Sequence, residues 1–252
     1  MQRKQRLNHI VSTVIDRGSV DVGWLAGQFD VSEATIRRDL ELLENQQLVT
    51  RTHGGATSNS AFNDVPLGFK MAQDLAEKRR IAQHALEFLE GARVVGMTGG
   101  TTMYEFAKLL ADRSGLTIVT NALNIATVLV ANQGLRVFAA GGEVRNSSQE
   151  TVGPTAEKFL MEYNIDVAFL GVDGVDASAG CTNYDPVGAR VNAALLQRAR
   201  TSVVLADATK ISRVALARVC PMSDVDVLIT DVRAPEDALD QIYRQGCRVV
   251  RV

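Results

Sequence analysis

The chain is poor in the residues that would mark several common classes. Its 252 residues include three cysteines, three histidines and one tryptophan. Cys181, Cys220 and Cys247 are far apart and odd in number, with no Cys-x-x-Cys. That excludes a disulfide framework and a cysteine zinc site. No two histidines are placed to share a metal, so neither metal nor cofactor is expected. His9 and His84 read as surface or packing residues, Trp24 and Phe29 as core of a small domain. No run approaches the roughly 18 apolar residues that a membrane helix needs. The opening Met1-Gln2-Arg3-Lys4-Gln5-Arg6 leads into a charge-patterned helix, not an apolar secretory core. A cytoplasmic protein with no membrane partner is expected. There is no excess of positive charge either: 27 Lys and Arg face 29 Asp and Glu, a formal net charge of −2. Contact with nucleic acid must therefore rest on where charges sit, not on their sum. Internal repeats and low-complexity segments are absent. What is present is ample apolar material, 46% of residues, which argues against disorder.

The pattern changes along the chain. Residues 1–57 are helix-rich and end in a short strand with a Gly pair. Residues 58–75, with Ser58-Asn59-Ser60 and Asn63-Asp64-Val65-Pro66, read as a linker. From 76 to 252, β-branched runs alternate with helical patterns. Strands are expected at 93–97, 116–120, 136–140, 167–170, 202–206, 225–230 and 248–252. Helices are expected at 102–111, 123–131, 155–162, 187–199 and 236–245. This alternation predicts a Rossmann-like α/β domain with a largely parallel sheet, behind an N-terminal α+β domain. Ligands of such sheets bind beyond the carboxyl ends of the strands.

In the first part, Leu7, Ile10, Val11, Val14 and Ile15 recur with helical spacing up to Gly18. Val22, Leu25 and Phe29 give a shorter helix. A third begins after Val31-Ser32-Glu33, where the Ser32 hydroxyl can cap and Glu33 suits the positive helix end. Val31 and Ile36 fall at the staple positions. With Ile36, Leu40 and Leu43 buried, Ala34, Arg38, Glu41 and Asn45 face outward, and Thr35 and Arg37 flank them. Small and hydrogen-bonding residues around an arginine suit a helix in the major groove. Leu48-Val49-Thr50-Arg51-Thr52-His53-Gly54-Gly55 reads as a strand entering a turn, in the place of a wing, with Arg51 and His53 on one face. The same pattern also suits a small protein-contact module.

Val31-Ser32-Glu33-Ala34-Thr35-Ile36-Arg37-Arg38-Asp39-Leu40, then Leu43-Glu44 and Arg51-Thr52-His53-Gly54-Gly55-Ala56, resembles the DeoR-family winged helix-turn-helix. The resemblance implies that Thr35, Arg37, Arg38, Arg51 and His53 face double-stranded operator DNA. Ser32 and Glu33, at the helix start, complete the candidate set.

In the second part, Gly96-Met97-Thr98-Gly99-Gly100-Thr101-Thr102 lies between a strand and a helix. Glycines there let an anion approach the backbone, and the N–H groups opening a helix point toward it. No Gly-Lys-Ser/Thr follows, so this is not a Walker A loop. Thr120-Asn121, Gly141-Gly142-Glu143, Gly171-Val172-Asp173-Gly174 and Asp207-Ala208-Thr209-Lys210 also follow apolar runs. Each alone suits an ordinary turn; together they suggest one rim. With Val152-Gly153-Pro154 and Ile211-Ser212-Arg213 they resemble the DeoR-family sensor domain, whose fold is similar to sugar-phosphate isomerases. The resemblance implies a phosphorylated sugar or related effector. It would be held by Thr98, Gly99, Gly100, Thr101 and Thr102, with Asn121, Gly141, Gly142, Asp173, Gly174, Asp207 and Lys210 nearby.

Three positions depart from that family. Thr98 stands where many members carry Asp, and Gly188 and Asn192 where many carry Glu and Lys. Isomerases and deaminases need groups that move protons near neutral pH. No catalytic residue is therefore assigned. The expectation is a transcription regulator, a repressor of a carbohydrate-metabolism operon, acting as a homodimer or homotetramer. The alternative is a sugar-phosphate isomerase or amino-sugar-phosphate deaminase with a DNA-binding appendage.

Overall fold

The computed structural model describes residues 3–46, 48–58, 67–71 and 73–252. The chain divides into two compact units, Met1–Gln73 and Asp74–Val252.

The first unit runs α1 (Arg3–Arg17), β1 (Ser19–Asp21), α2 (Val22–Phe29), α3 (Glu33–Asn45), β2 (Val49–Arg51), β3 (Gly55–Ser58) and a one-turn α4 (Leu67–Lys70). Ile10, Val11 and Val14 of α1, Leu25 of α2, and Ile36, Leu40 and Leu43 of α3 form a closed core. The Ile15 side chain lies outside the described residues. Asp39 of α3 is buried and held by two arginines of α1, Arg3 at 3.1 Å and Arg6 at 2.7 Å. The strands pair antiparallel in the order β1-β3-β2. Strand β1 was not expected; it is three residues long and merges into the cap of α2, where the Asp21 carboxylate accepts from the Gly23 and Trp24 N–H groups. A Cβ on Gly55 would lie 1.8 Å from the Val20 carbonyl oxygen, so the β1–β3 pairing requires glycine there. Trp24 corrects the sequence reading. It is 37% exposed, with the Arg17 guanidinium 4.1 Å over its ring. In so short a helix the inward positions go to Val22 and Leu25. Of the stretch read as a linker, Ser58 ends β3 and Leu75 opens the next helix, while 59–66 and 72 lie outside the described residues.

The second unit opens with α5 (Leu75–Ala85), β4 (Val94–Met97), α6 (Thr101–Leu110), β5 (Thr117–Thr120), α7 (Leu123–Leu129) and β6 (Arg136–Ala139). A hairpin of β7 (Glu143–Arg145) and β8 (Glu150–Val152) follows, then α8 (Pro154–Met161) and β9 (Ile165–Leu170). Next come β10 (Gly174–Asp176), β11 (Gly180–Asn183), α9 (Pro186–Gln197), β12 (Ala199–Leu205) and β13 (Ala217–Cys220). The chain closes with β14 (Val227–Thr230), α10 (Glu236–Tyr243) and β15 (Arg248–Arg251).

Seven strands form one sheet in the order β15-β14-β12-β9-β4-β5-β6, every pair parallel. All seven were expected from their apolar runs. Successive residues feed opposite faces, as strand geometry requires. Val95, Met97, Ile118, Val167, Phe169, Val203 and Leu205 meet α5, α6 and α7, whereas Val119, Ala168, Leu170 and Val204 meet α8 and α9. Two layers of helix thus cover both faces, which a parallel sheet needs. The order reverses at β4: β5 and β6 extend one way, β9, β12 and β14 the other. Such a switch point is where ligands of doubly wound sheets bind. The β7–β8 hairpin and the antiparallel trio β10-β11-β13 lie apart from this sheet and were not expected. The three cysteines are buried and unpaired. Among the described residues, no helix is long and apolar enough to cross a membrane.

Candidate functional site

In the first unit the candidate site is α3 and the turn after β2. Ser32 caps α3, its hydroxyl accepting from the Thr35 N–H at 3.2 Å. Ala34, Arg38, Glu41 and Asn45 are exposed on the face opposite the core, and Thr35 is half-buried beside them. The two arginines differ. Arg37 is paired with Glu33 one turn earlier, at 3.0 Å. Arg38 makes no ion pair among the described residues. Glu44 near the end of α3 accepts from the Arg51 N–H at 3.0 Å, with the Arg51 guanidinium 3.8 Å from its other oxygen. This ties the wing strand to α3. His53 is exposed in the turn, which the Thr52 N–H closes onto the Gly55 carbonyl at 3.0 Å.

In the second unit, every expected cluster follows a strand at the carboxyl edge of the parallel sheet. Residues 98–102 follow β4, Asn121 follows β5, Gly141 and Gly142 follow β6, Asp173 follows β9, and Asp207 follows β12. They sort into neighbourhoods. The first surrounds the β4–α6 loop at the switch point. Gly100 has φ 116 and no side chain caps α6. Opening backbone N–H groups of α6 thus carry the helix's positive end without a side-chain acceptor. Thr98 is fully buried; its hydroxyl accepts from the Gly171 N–H at 2.9 Å, which commits it to the β4–β9 seam. The two loops nearly touch, since a Cβ on Gly171 would lie 2.5 Å from the Gly99 carbonyl oxygen. Thr101 is half-buried and Thr102 buried at the start of α6.

A residue that sequence reasoning missed stands over this loop. Glu150 opens β8 and accepts from the Gly99 N–H at 2.9 Å and the Asn121 amide at 3.4 Å. Burial pushes its carboxyl pKa up, while the Gly99 N–H, Ser148, Arg145 and Asn121 pull the other way. Asn121 is 1% exposed and its Oδ1 has no partner among the described residues. Arg145, the cross-strand neighbour of Glu150, was missed too; it lies 3.5 Å from Asp185, the cap of α9. The only sequence signal for this pair was Gly141-Gly142, immediately before the hairpin.

The second neighbourhood is farther along the edge. Asp173 accepts from the Tyr184 N–H at 3.2 Å, and the Arg213 guanidinium lies 3.5 Å from the Tyr184 hydroxyl. Gly174 lets β10 approach the 210s, since a Cβ there would lie 2.3 Å from the Arg213 carbonyl oxygen. Asp207 is 3% exposed and spent locally: it caps the turn Ala208–Lys210 by accepting from the Thr209 N–H and hydroxyl. Lys210 is half-buried at the end of that turn. The turn is tied to β14 through Asp231, which accepts from the Ala208 N–H at 2.7 Å and pairs with Arg233 at 2.8 Å. Gly141 is exposed, and Gly142 packs on the β8–α8 corner near the Val152 carbonyl.

The family models agree with this division. A model of the DeoR-like helix-turn-helix domain matches residues 6–62, and one of the DeoR C terminal sensor domain matches 73–232. The chain belongs to the DeoR family. It is 32% identical to a putative aga operon transcriptional repressor of Escherichia coli O157:H7, over 98% of this chain and 93% of that one. It is 33% identical to the glycerol-3-phosphate regulon repressor of Escherichia coli K12, over 93% of each. A probable sor operon regulator from Shigella flexneri covers 72% of this chain and 94% of its own, at 12% identity and a TM-score of 0.44.

The DeoR chain is thus a DNA-binding transcription regulator, not an enzyme with an appendage. The departures on α9 have visible consequences. Asn192 is 3% exposed and donates to the Gly171 carbonyl at 3.1 Å, bracing the switch-point loop. At Gly188 a side chain would meet the Asp185 carboxylate at 3.1 Å, with the Arg145 guanidinium at 3.6 Å.

Proposed function

We propose that this DeoR-family protein represses a carbohydrate-metabolism operon, and that a phosphorylated sugar or related metabolite controls its hold on operator DNA. One observation carries the effector half: the α6 start, without a side-chain cap, lies beside a glycine pair at the switch point of the parallel sheet. Backbone N–H groups of 99–102 would receive the phosphate. Arg145 and Lys210 supply cations at the same edge, and Asn121 and Asp173 supply acceptors for sugar hydroxyls. The relatives named for the aga operon and the glycerol-3-phosphate regulon support this class of effector.

On the DNA side, Arg38 reads a base edge from the outward face of α3. Ser32, Glu33, Thr35 and Arg37 line the helix start, and Arg51 and His53 meet the backbone from the wing. A homodimer or homotetramer presents paired α3 helices to two half-sites. Effector binding shifts the population away from the arrangement that engages both. A tenfold loss of operator affinity needs about 1.4 kcal/mol of differential binding.

The test is thermal stability against matched phosphorylated and unphosphorylated sugars, followed by operator binding with each hit. A ligand at 100 times its Kd raises stability by about 2.7 kcal/mol. A shift with phosphorylated members, coupled to altered operator affinity, is the expected result. Shifts with unphosphorylated partners alone refute the phosphate site.

A further inference from the structure

The anion site of the α6 start already holds an anion that belongs to the chain. The Glu150 carboxylate accepts the Gly99 N–H at 2.9 Å. It sits directly above that residue, since a Cβ on Gly99 would lie 2.5 Å from the Glu150 carboxyl carbon. A phosphate on the Gly99 N–H and this carboxylate cannot share the space, and their like charges repel.

We propose that Glu150 determines which anions this site accepts, by holding the Gly99 N–H against any anion that brings no further contacts. The inference rests on the phosphate reading given above and adds the residue that makes it selective.

The backbone of Glu150 is fixed while its side chain is the part that must move. The Thr151 N–H donates to the Asn121 carbonyl at 2.7 Å, and the Leu123 N–H donates to the Gln149 carbonyl at 2.9 Å. The Asn121 amide also donates to the Thr151 carbonyl at 3.1 Å. These bonds lace the β7–β8 hairpin to the end of β5. A tethered carboxylate therefore competes at a high effective concentration. An inorganic anion offers nothing to offset it. A sugar phosphate can, because the Asn121 amide that touches this carboxylate has a buried, unpartnered Oδ1, which a sugar hydroxyl replacing the carboxylate would satisfy. If the carboxylate holds the site nine-tenths of the time, its removal tightens anion binding about tenfold.

The test uses the full chain and sulfate, a dianion that does not titrate near neutral pH. Sulfate binding is measured by thermal shift and calorimetry for the unaltered chain, Glu150→Gln and Glu150→Ala. Glu143→Gln, an exposed acid on the same hairpin, controls for general charge. Both Glu150 variants should bind sulfate about tenfold more tightly or better, with Glu143→Gln unchanged. Using both variants separates the lost charge from any packing defect. Equal or weaker sulfate binding by both Glu150 variants, with sugar phosphates still bound, overturns the role of Glu150 alone. Failure of every form to bind sulfate or any sugar phosphate overturns the phosphate site itself, and the effector reading with it.

Discussion

Asp39→Ala should strongly destabilise the first unit although Asp39 is turned away from the outward face of α3. Its carboxylate is 1% exposed and bridges α3 to α1 through Arg3 and Arg6. Arg3 is 59% exposed, so its share is below about 1 kcal/mol. Arg6 is 9% exposed, and without Asp39 it is left as a buried, unpaired cation. Breaking such a pair from one side costs roughly 3–5 kcal/mol. A unit the size of Met1–Gln73 has roughly 4–11 kcal/mol in all. The loss should lower its melting temperature by at least about 12 °C. Trp24 is the sole tryptophan of the chain and lies in this unit, so its fluorescence follows the transition selectively. Adding Arg6→Met to Asp39→Ala removes the stranded charge and should recover much of the stability. A melting change of only a few degrees for Asp39→Ala, or no recovery in the double variant, would refute the reasoning.

Three further outcomes are expected. Arg38→Ala should weaken operator binding by roughly 1–3 kcal/mol and relax discrimination between operator and random DNA; Arg37→Ala, whose side chain is already paired with Glu33, should cost less, and equal costs in titrations on both DNAs would count against the assignment. Gly55→Ala should abolish the β1–β3 pairing and with it operator binding, because the new Cβ meets a carbonyl oxygen at 1.8 Å; an unaltered amide-exchange pattern in β3 would show the strand tolerates it. Stability should depend on pH in two windows. The Asp166 carboxyl is held low by the Val94 and Arg93 N–H groups, so its contribution is present above the usual carboxylate range and is lost as pH falls through the lowered value. Burial raises Glu150 from its ordinary value of 4.5, so stability falls as pH rises from that value to the raised folded one, above which the carboxylate is ionised in both states. Denaturant titrations across pH should show Asp166→Asn flattening the acid limb and Glu150→Gln the limb above it.

The parallel sheet was legible because its strands are buried on both faces and read as apolar runs. The helices between them carried their own period, and expected and observed ends differ by a few residues. Apart from β2, the short antiparallel strands were not legible. β7, β8, β10 and β1 have three residues each, too few for any period to show. That blindness cost the site its charged pair, since Arg145 and Glu150 lie opposite one another on the unseen hairpin. The rim residues fall at the carboxyl edge because they follow the strands that were seen. What each does there was not readable. Thr98 and Asp207 have the right chemistry for a ligand, yet a neighbouring N–H engages each: Gly171 for Thr98, Thr209 for Asp207.

The same distinction governs both units. In α3, Arg37 and Arg38 are adjacent and equal in charge, but a partner at i−4 occupies one of them. Asp39, next in sequence, is turned inward and consumes two arginines that a charge count would have credited to the DNA face. At the sheet edge, Arg145 lies 3.5 Å from Asp185 and opposite Glu150, so its charge is not in excess there. What that edge offers an anion is geometry: backbone donors of a helix start that no side chain caps. On the function proposed above, a near-neutral regulator thus binds two anions, a nucleic acid and a small phosphate. In each place recognition depends on which donors are uncommitted when the ligand arrives, and the net charge carries no information about that.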